Sequence, residues 1–192
     1  KYDTLIDIYN LLNISQCIIY INYKNKLMNI YDELIKNNYP VDYIHGDISK
    51  DEREHKVLDF KNGKTRILLS TDLLARGIDI QQLSLVINFD LPRSKETYIH
   101  RIGRSGRYGR KGVAINFVSN REIGYLNDIE EYYKICYDSK RWIKWINSDF
   151  IPENNKKELI KICGHYVLSA EEFIKIKPDI DCEECFQLAC LF

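Results

Sequence analysis

The sequence has no net charge, no long apolar run and no regular cysteine spacing. Its 28 basic and 28 acidic residues balance, so overall charge favours neither nucleic acid nor an acidic membrane, and any polyanion site has to be a local patch. No apolar run approaches the ~20 residues of a membrane span, so no membrane partner is expected. Asp3 and Asp7 interrupt the first apolar stretch, and we therefore do not expect a signal peptide.

The six cysteines do not follow the spacing of a small disulfide scaffold. This absence favours a reduced, intracellular chain, cytoplasmic with the nucleus as the alternative. The sequence does not begin with Met, and we expect it to be part of a longer protein. Its 192 residues, 45% of them hydrophobic, suffice for one α/β domain with an appendage.

Short apolar runs alternate with helical patterns along residues 1–138. This alternation predicts a parallel sheet flanked by helices. The predicted strands are 17–22, 41–45, 66–70, 85–89 and 113–118. One predicted helix has Ser49 as its N-cap, Glu52 as its third residue and Gly63 as its C-cap. Residues 139–192 contain no clear strand run and are predicted to form a helical extension.

Polar loops follow four of the predicted strands, with the sequences "NYK", "HGD", "STDLLARGID" and "FDLP". In an α/β sheet, ligands bind beyond the carboxyl ends of the strands. The stretch "HRIGRSGRYGRKG" (100–112) adds four arginines, each with a glycine two residues later. Glycine permits tight turns, and arginine presents a planar fork of donors to phosphate oxygens. The stretch therefore predicts a site where arginines converge on a phosphate chain, and a solvated surface turn is the alternative.

Two further stretches partly resemble a nucleotide site and a metal site. "GKT" (63–65) resembles the end of a phosphate-binding loop, but Leu58 stands where that motif needs glycine, so a plain loop between helix and strand is predicted. The cysteines at 182, 185 and 190 do not form two tight pairs, so no metal site is expected.

"STDLLARGID" followed by "YIHRIGRSGRYGRKG" closely resembles motifs V and VI of DEAD-box RNA helicases, and "CIIYIN" resembles their motif IV. The resemblance covers about residues 1–138 and is closest to the eukaryotic translation initiation factor 4A subfamily. It implies the second, C-terminal RecA-like domain of such a helicase. Family members usually end shortly after this region, usually have Thr where Tyr23 stands, and commonly have Gln where Lys50 stands.

The resemblance implies a nucleotide site. By position, Arg104 and Arg107 match arginine fingers that reach the phosphates of ATP across a cleft between two RecA-like domains. Asp79 matches the carboxylate that binds the ribose, and Gly77 lies in the same motif and is assigned to the same site. The Mg²⁺ that accompanies ATP is expected on the N-terminal domain, because the sequence contains neither a Walker A loop nor the D-E-A-D motif.

The same resemblance implies an RNA surface and residues that couple it to the cleft. Arg53 and Thr71 match family contacts to RNA, and Gly46 can expose its backbone N–H to a phosphate. All three are expected to bind sugar or phosphate, so no base sequence is expected to be recognised. The expected coupling residues, which connect the cleft to the other domain and to RNA, are His100, Arg101 and Arg76.

The function expected from this resemblance is ATP-driven unwinding of duplex RNA or remodelling of ribonucleoprotein, including a role in translation initiation. The expected partners are RNA, the N-terminal RecA-like domain of the same protein and a protein that docks on residues 139–192. The chain alone is expected to be inactive as an ATPase. The alternative is a non-catalytic RecA-like module that binds RNA or protein and acts on a partner helicase.

Overall fold

The computed structural model describes residues 1–11, 15–72, 80, 83, 85–105, 113–119, 121–133 and 187–191. The chain divides into two compact units. One is Ser15–Ala114, and the other combines Lys1–Ile14 with Ile115–Phe192. Along the chain the elements are α1 (Tyr2–Leu11), β1 (Cys17–Tyr20), α2 (Lys24–Lys36), β2 (Val41–Ile44), α3 (Lys50–Lys61), β3 (Ile67–Ser70), β4 (Leu85–Asn88), α4 (Lys95–Ile102), β5 (Val113–Val118), α5 (Ile123–Tyr133) and β6 (Gln187–Leu191).

The unit Ser15–Ala114 is built on four strands in the order β2-β3-β1-β4. Every pairing among them is parallel. The residues of β1, β3 and β4 are all buried, as expected for parallel strands that helices cover on both faces. The core of this unit includes Ile18, Leu68, Val86 and Phe60. The predicted parallel α/β arrangement is confirmed here.

Helix α3 has the N-cap that the sequence predicts, and its C-cap is Asn62, one residue before the predicted Gly63. Ser49 Oγ accepts a hydrogen bond from the backbone N–H of Glu52 at 3.1 Å, as the predicted cap requires. Gly63 follows α3 with φ +75°, and its N–H donates to the Phe60 carbonyl at 3.0 Å. Left-handed backbone of this kind favours glycine at a helix end. "GKT" is therefore a loop between α3 and β3, as predicted.

The other unit contains α1, α5, β6 and most of β5. Helix α1 was not predicted, although it buries Leu5 and Ile8 on one face. The sequence also predicts Asn120 as the N-cap of a helix, and this residue lies outside the described residues. Next to it, Glu122 Oε2 accepts hydrogen bonds from the backbone N–H and the hydroxyl of Ser119, at 2.9 and 2.5 Å.

The predicted helical extension, residues 139–192, is described only at 187–191. There the chain forms β6, a neighbour of β5, so these five residues are a strand and not a helix. A short apolar segment can satisfy its backbone groups along a strand edge without the length and caps that a helix needs. The predicted boundary at residue 138 lies outside the described residues and stays a prediction. Within the described residues, no helix combines the length and apolarity that crossing a bilayer requires.

Candidate functional site

The carboxyl ends of β1 to β4 lie level with one another. Tyr20 pairs with Ser70 on one side and with Asn88 on the other, and Ile44 pairs with Ser70. The polar loops that follow these strands therefore emerge together at one edge of the sheet. This is the edge at which open parallel sheets bind ligands.

Arg101 lies buried beneath the part of this edge formed by β1, β3 and β4. Its relative exposure is 0%. Its Nε donates to Asp72 Oδ1 at 2.6 Å, and its Nη2 lies 2.5 Å from the same oxygen. Its Nη2 also donates to Asn22 Oδ1 at 2.7 Å. Its Nη1 donates to Asn88 Oδ1 at 3.2 Å and to the Asp90 carbonyl at 2.8 Å.

The Arg101 guanidinium thus makes four hydrogen bonds and one further close ion-pair contact. Burial lowers the pKa of Arg101, and the negative charge of Asp72 opposes that effect. The Tyr20 ring lies beneath the guanidinium, 5.0 Å from Cζ to the ring centroid. A buried charge is tolerated only when it is paired and fully hydrogen-bonded. Lysine, with three donors at one point, could not bind all of these acceptors.

Asn22 and Asp90 connect this cluster to the loops above it. The N–H of Asn22 donates to Asp90 Oδ2 at 3.1 Å, and its side-chain amide donates to the Leu91 carbonyl at 2.7 Å. Lys26 forms an ion pair with Asp90. Through these contacts the loops after β1 and β4 are fixed to each other and to Arg101.

Arg104 follows α4 and lies close to the same cluster. Its N–H donates to the Arg101 carbonyl at 3.2 Å, and its carbonyl accepts from the Leu83 N–H at 3.2 Å. Burial raises the pKa of Tyr20 to about 12, against the opposing positive charges of Arg104 and Arg101. The two backbone hydrogen bonds, to the Arg101 carbonyl and from the Leu83 N–H, hold Arg104 from both sides.

Gly46 and Thr71 lie at the carboxyl ends of the adjacent strands β2 and β3. The Thr71 N–H donates to the Ile44 carbonyl at 3.2 Å, which fixes the two loops beside each other. Gly46 is exposed, its φ lies outside the left-handed region, and a Cβ added there would meet no atom within 4 Å. Nothing within the described residues therefore requires glycine at this position.

Arg53 and His45 lie beside this surface. Arg53 is half-buried on α3 and donates from Nη2 to the Ile48 carbonyl at 3.4 Å, while its Nε has no acceptor among the described residues. His45 is buried, and its Nδ1 accepts from the Asp47 N–H at 3.2 Å. Burial, with the nearby charge of Lys24, lowers the pKa of His45.

The structure thus brings the predicted site residues into two groups on one edge. Gly46, Thr71 and Arg53 form one group, and Arg101 with Arg104 forms the other. His100 is exposed on α4. The remaining predicted residues, Arg107, Asp79, Gly77 and Arg76, lie outside the described residues.

Among the predicted site residues, Arg101 has the environment that differs most from the one its expected coupling role requires. The sequence predicts a residue that couples the cleft to a second domain, whereas its guanidinium is fully buried and bound by acceptors of its own unit. It therefore presents no donor at the surface of that unit. Its coupling role stays a prediction, and any such role has to pass through partners such as Asp72, whose side chain is 40% exposed.

The acceptors around Arg101 were not predicted as site residues. Each of Asn22, Asp72 and Asp90 stands two residues beyond a strand, in the polar loops noted from the sequence. Their position just beyond the ends of strands is the sequence feature from which they could have been predicted as site residues. Their convergence on one arginine depends on the strand order, which the sequence pattern does not specify.

Comparison with known families identifies the chain. Residues 1–109 match the family described as "Helicase conserved C-terminal domain". The ATP-dependent RNA helicase FAL1 of Eremothecium gossypii is 55% identical over 135 residues, which cover 70% of this chain and 34% of that protein. The ATP-dependent RNA helicase eIF4A of Kluyveromyces lactis is 51% identical over 133 residues, covering 69% and 34%. The chain thus spans about a third of the length of these relatives.

Solved structures agree with the sequence comparison. The C-terminal domain of the DEAD-box protein Dbp5 superimposes with a TM-score of 0.65 at 40% identity, covering 69% of this chain and 77% of that one. Dbp5 of S. cerevisiae bound to RNA and ADP BeF3 gives a TM-score of 0.66 at 39% identity, covering 70% and 36%. The predicted RecA-like fold is confirmed. The chain belongs to the helicase conserved C-terminal domain family, in the form carried by DEAD-box RNA helicases.

Proposed function

We propose that this chain acts as the second RecA-like domain of an ATP-dependent RNA helicase that unwinds duplex RNA or remodels ribonucleoprotein. The observation that carries the proposal is the buried Arg101, which fixes the end of α4 at the start of the arginine stretch. The relatives named as ATP-dependent RNA helicases support it. Since the chain spans a third of their length, the proposed activity belongs to the longer protein.

In this proposal, Arg104 and Arg107 bind the phosphates of ATP held by an N-terminal domain. Charge develops on the transferring phosphoryl group, and a positioned arginine that stabilises it is worth ~10³–10⁵ in rate. Such a contribution requires that the arginines be held in place beforehand. The hydrogen bonds from Arg104 N–H to Arg101 and from Leu83 to the Arg104 carbonyl supply that support at the start of the stretch.

Asp79 is proposed to accept hydrogen bonds from the ribose, as a carboxylate can from two hydroxyls, and Gly77 to lie in the same site. His100 and Arg76 are proposed to contact the N-terminal domain. The Mg²⁺ that accompanies ATP is assigned to that domain. Among the described residues, no group of three or more His, Cys, Asp or Glu side chains could bind a metal ion.

RNA is proposed to bind along the surface formed by Gly46, Thr71 and Arg53. The exposed backbone at Gly46 offers an N–H to a phosphate, and its open surroundings allow the backbone of a ligand to approach closely. Arg53, half-buried on α3 beside this surface, adds positive charge. These groups would bind sugar and phosphate, which carry no base sequence.

The decisive experiment measures RNA-stimulated ATPase activity of the longer native protein with Arg107→Ala. Activity should fall by about 10³ or more, with an unchanged melting temperature. Arg121→Ala, at an exposed arginine outside the arginine stretch, is the matched control and should keep full activity. A loss below tenfold for Arg107→Ala would refute the assignment of the finger. If the native protein has no ATPase activity at all, the alternative of a non-catalytic module replaces this proposal.

A further inference from the structure

Tyr23 breaks a local rule of helix formation. It is the N-cap residue of α2, with φ −123° and ψ 130°, and its side chain makes no capping hydrogen bond. Ser, Thr, Asp and Asn are strongly preferred at this position because their side chains accept a hydrogen bond from the first turn. Its relative exposure is 59%. Neither the helix nor the core therefore accounts for a tyrosine here.

The Tyr23 ring is nevertheless held in place. The guanidinium of Arg93, itself exposed, lies over it with Cζ 5.1 Å from the ring centroid. This cation–π contact orders two side chains that would otherwise move freely in water. An exposed aromatic ring beside an arginine is the combination with which proteins stack unpaired bases and bind their phosphates.

The position of Tyr23 connects it to the proposed RNA surface. Lys24, the next residue, forms an ion pair with Asp47, which directly follows Gly46. The loop after β1 is thus fixed to the loop after β2. Tyr23 and Gly46 thus each adjoin one partner of this ion pair, on loops at the same edge of the sheet.

We propose that Tyr23 and Arg93 form a stacking platform for one unpaired base of the bound RNA. This inference rests on the proposed RNA surface and adds a contact that depends on the bases being present. Stacking tolerates every base, because each has a π-face, so the platform distinguishes unpaired RNA from a bare backbone without recognising a sequence.

The test compares two labelled decamers by fluorescence anisotropy with the 192-residue chain at low salt. One is single-stranded RNA, and the other is an abasic decamer with the same sugars and phosphates. Tyr23→Thr should weaken binding of the base-containing RNA about tenfold, as the loss of one stacked base does, and should leave abasic binding unchanged. Tyr23→Phe keeps the ring and should bind like the native chain.

Three controls separate the possible results. Tyr23→Thr should melt at the native temperature or above, since threonine is a better N-cap. Tyr132→Ala removes another exposed tyrosine, 62% exposed on α5, and should not change binding. Arg53→Ala should weaken both decamers alike, because it removes a phosphate contact.

If the native chain binds both decamers equally and Tyr23→Thr has no effect, the stacking platform is wrong. A loss of affinity in Arg53→Ala would then still support the RNA surface. Equal weakening of both decamers by Tyr23→Thr would also overturn it, because the tyrosine would then act on the backbone or on the fold. If neither decamer binds, or if Arg53→Ala has no effect on either, the RNA surface itself fails and the platform fails with it.

Discussion

Arg101 and Asp72 form an ion pair between a side chain with no exposed surface and one that is 40% exposed. The Nε and Nη2 atoms of the arginine both lie within 2.6 Å of one carboxylate oxygen. The carboxylate thus balances a buried charge while it remains accessible at the edge of the sheet. This relationship makes the stability of the domain depend on the loop after β3.

Removing Asp72 should therefore be costly. Asp72→Ala leaves the buried guanidinium without its counter-charge, and we expect the free energy of unfolding to fall by about 2–4 kcal/mol, since the three other acceptors remain. Asp59→Ala breaks an ion pair of similar length, 2.6 Å to an exposed Lys64, and should cost much less, because solvent screens this pair. Urea unfolding measures both. Equal costs would show that Arg101 does not depend on Asp72.

Substitution by alanine should have opposite effects at two glycines: at Gly46 it should affect RNA binding, and at Gly63 it should affect stability. Gly46→Ala should change the free energy of unfolding by less than about 0.5 kcal/mol, because the position is open and φ is ordinary. It should weaken RNA binding about tenfold, because the added methyl group keeps a phosphate from approaching the N–H closely.

Gly63→Ala should cost about 1 kcal/mol, because its φ is +75°, and should leave RNA binding unchanged. Thermal unfolding and RNA titration of the two variants separate fold from function. Full RNA affinity in Gly46→Ala would remove Gly46 from the proposed surface.

Stability should depend on pH through His45. Burial lowers its pKa below the ordinary value of 6.5, so the folded state favours the neutral ring and the unfolded state takes up a proton more readily. Its contribution is fully present above the unfolded pKa and is lost as pH falls from about 6.5 through the lower folded pKa. Urea midpoints between pH 7.5 and 5.5 should therefore decline.

The matched variants are His45→Gln, which should flatten this decline, and His55→Gln, at an exposed histidine on α3, which should not. An unchanged slope in His45→Gln would assign the decline to other groups.

Salt dependence tests the proposed phosphate contacts. Binding of single-stranded RNA by the 192-residue chain should fall with salt at a log–log slope of about −1.5 to −3, as expected for two to four phosphates. Arg53→Ala should make that slope shallower by roughly 0.7 and weaken all RNA sequences alike. A changed preference among sequences would mean that Arg53 contacts bases instead.

The sequence was informative where a physical requirement is local. The five predicted strands each contain an observed strand, because short apolar runs bounded by polar loops need only local periodicity. The cap at Ser49 and the turn at Gly63 were predicted because each depends on a few adjacent residues. Helix α1 is not among the predicted elements, because its residues were interpreted only with respect to a signal peptide. Their helical spacing, with Leu5 and Ile8 three residues apart, was the feature that indicated a helix.

The site was less predictable than the strands. The motif around Arg101 was recognised, but its burial depends on acceptors from three loops that only the strand order brings together. A charged side chain within a polar motif indicates a surface by default. The exposed ring of Tyr23 was noted only as a departure from the family pattern, since neither its exposure nor its contact with Arg93 could be known from the sequence.

The position of β1 in the sheet has a consequence for how the chain acquires its structure during synthesis. Both neighbours of β1 are made later, since its partners begin at Ile67 and Leu85. Until Leu85–Asn88 has left the ribosome, the apolar residues of β1 have an unpaired edge, and pairing across such long separations is slow. A nascent chain that stops before β4 should therefore bind chaperones, and one that extends beyond it should be released.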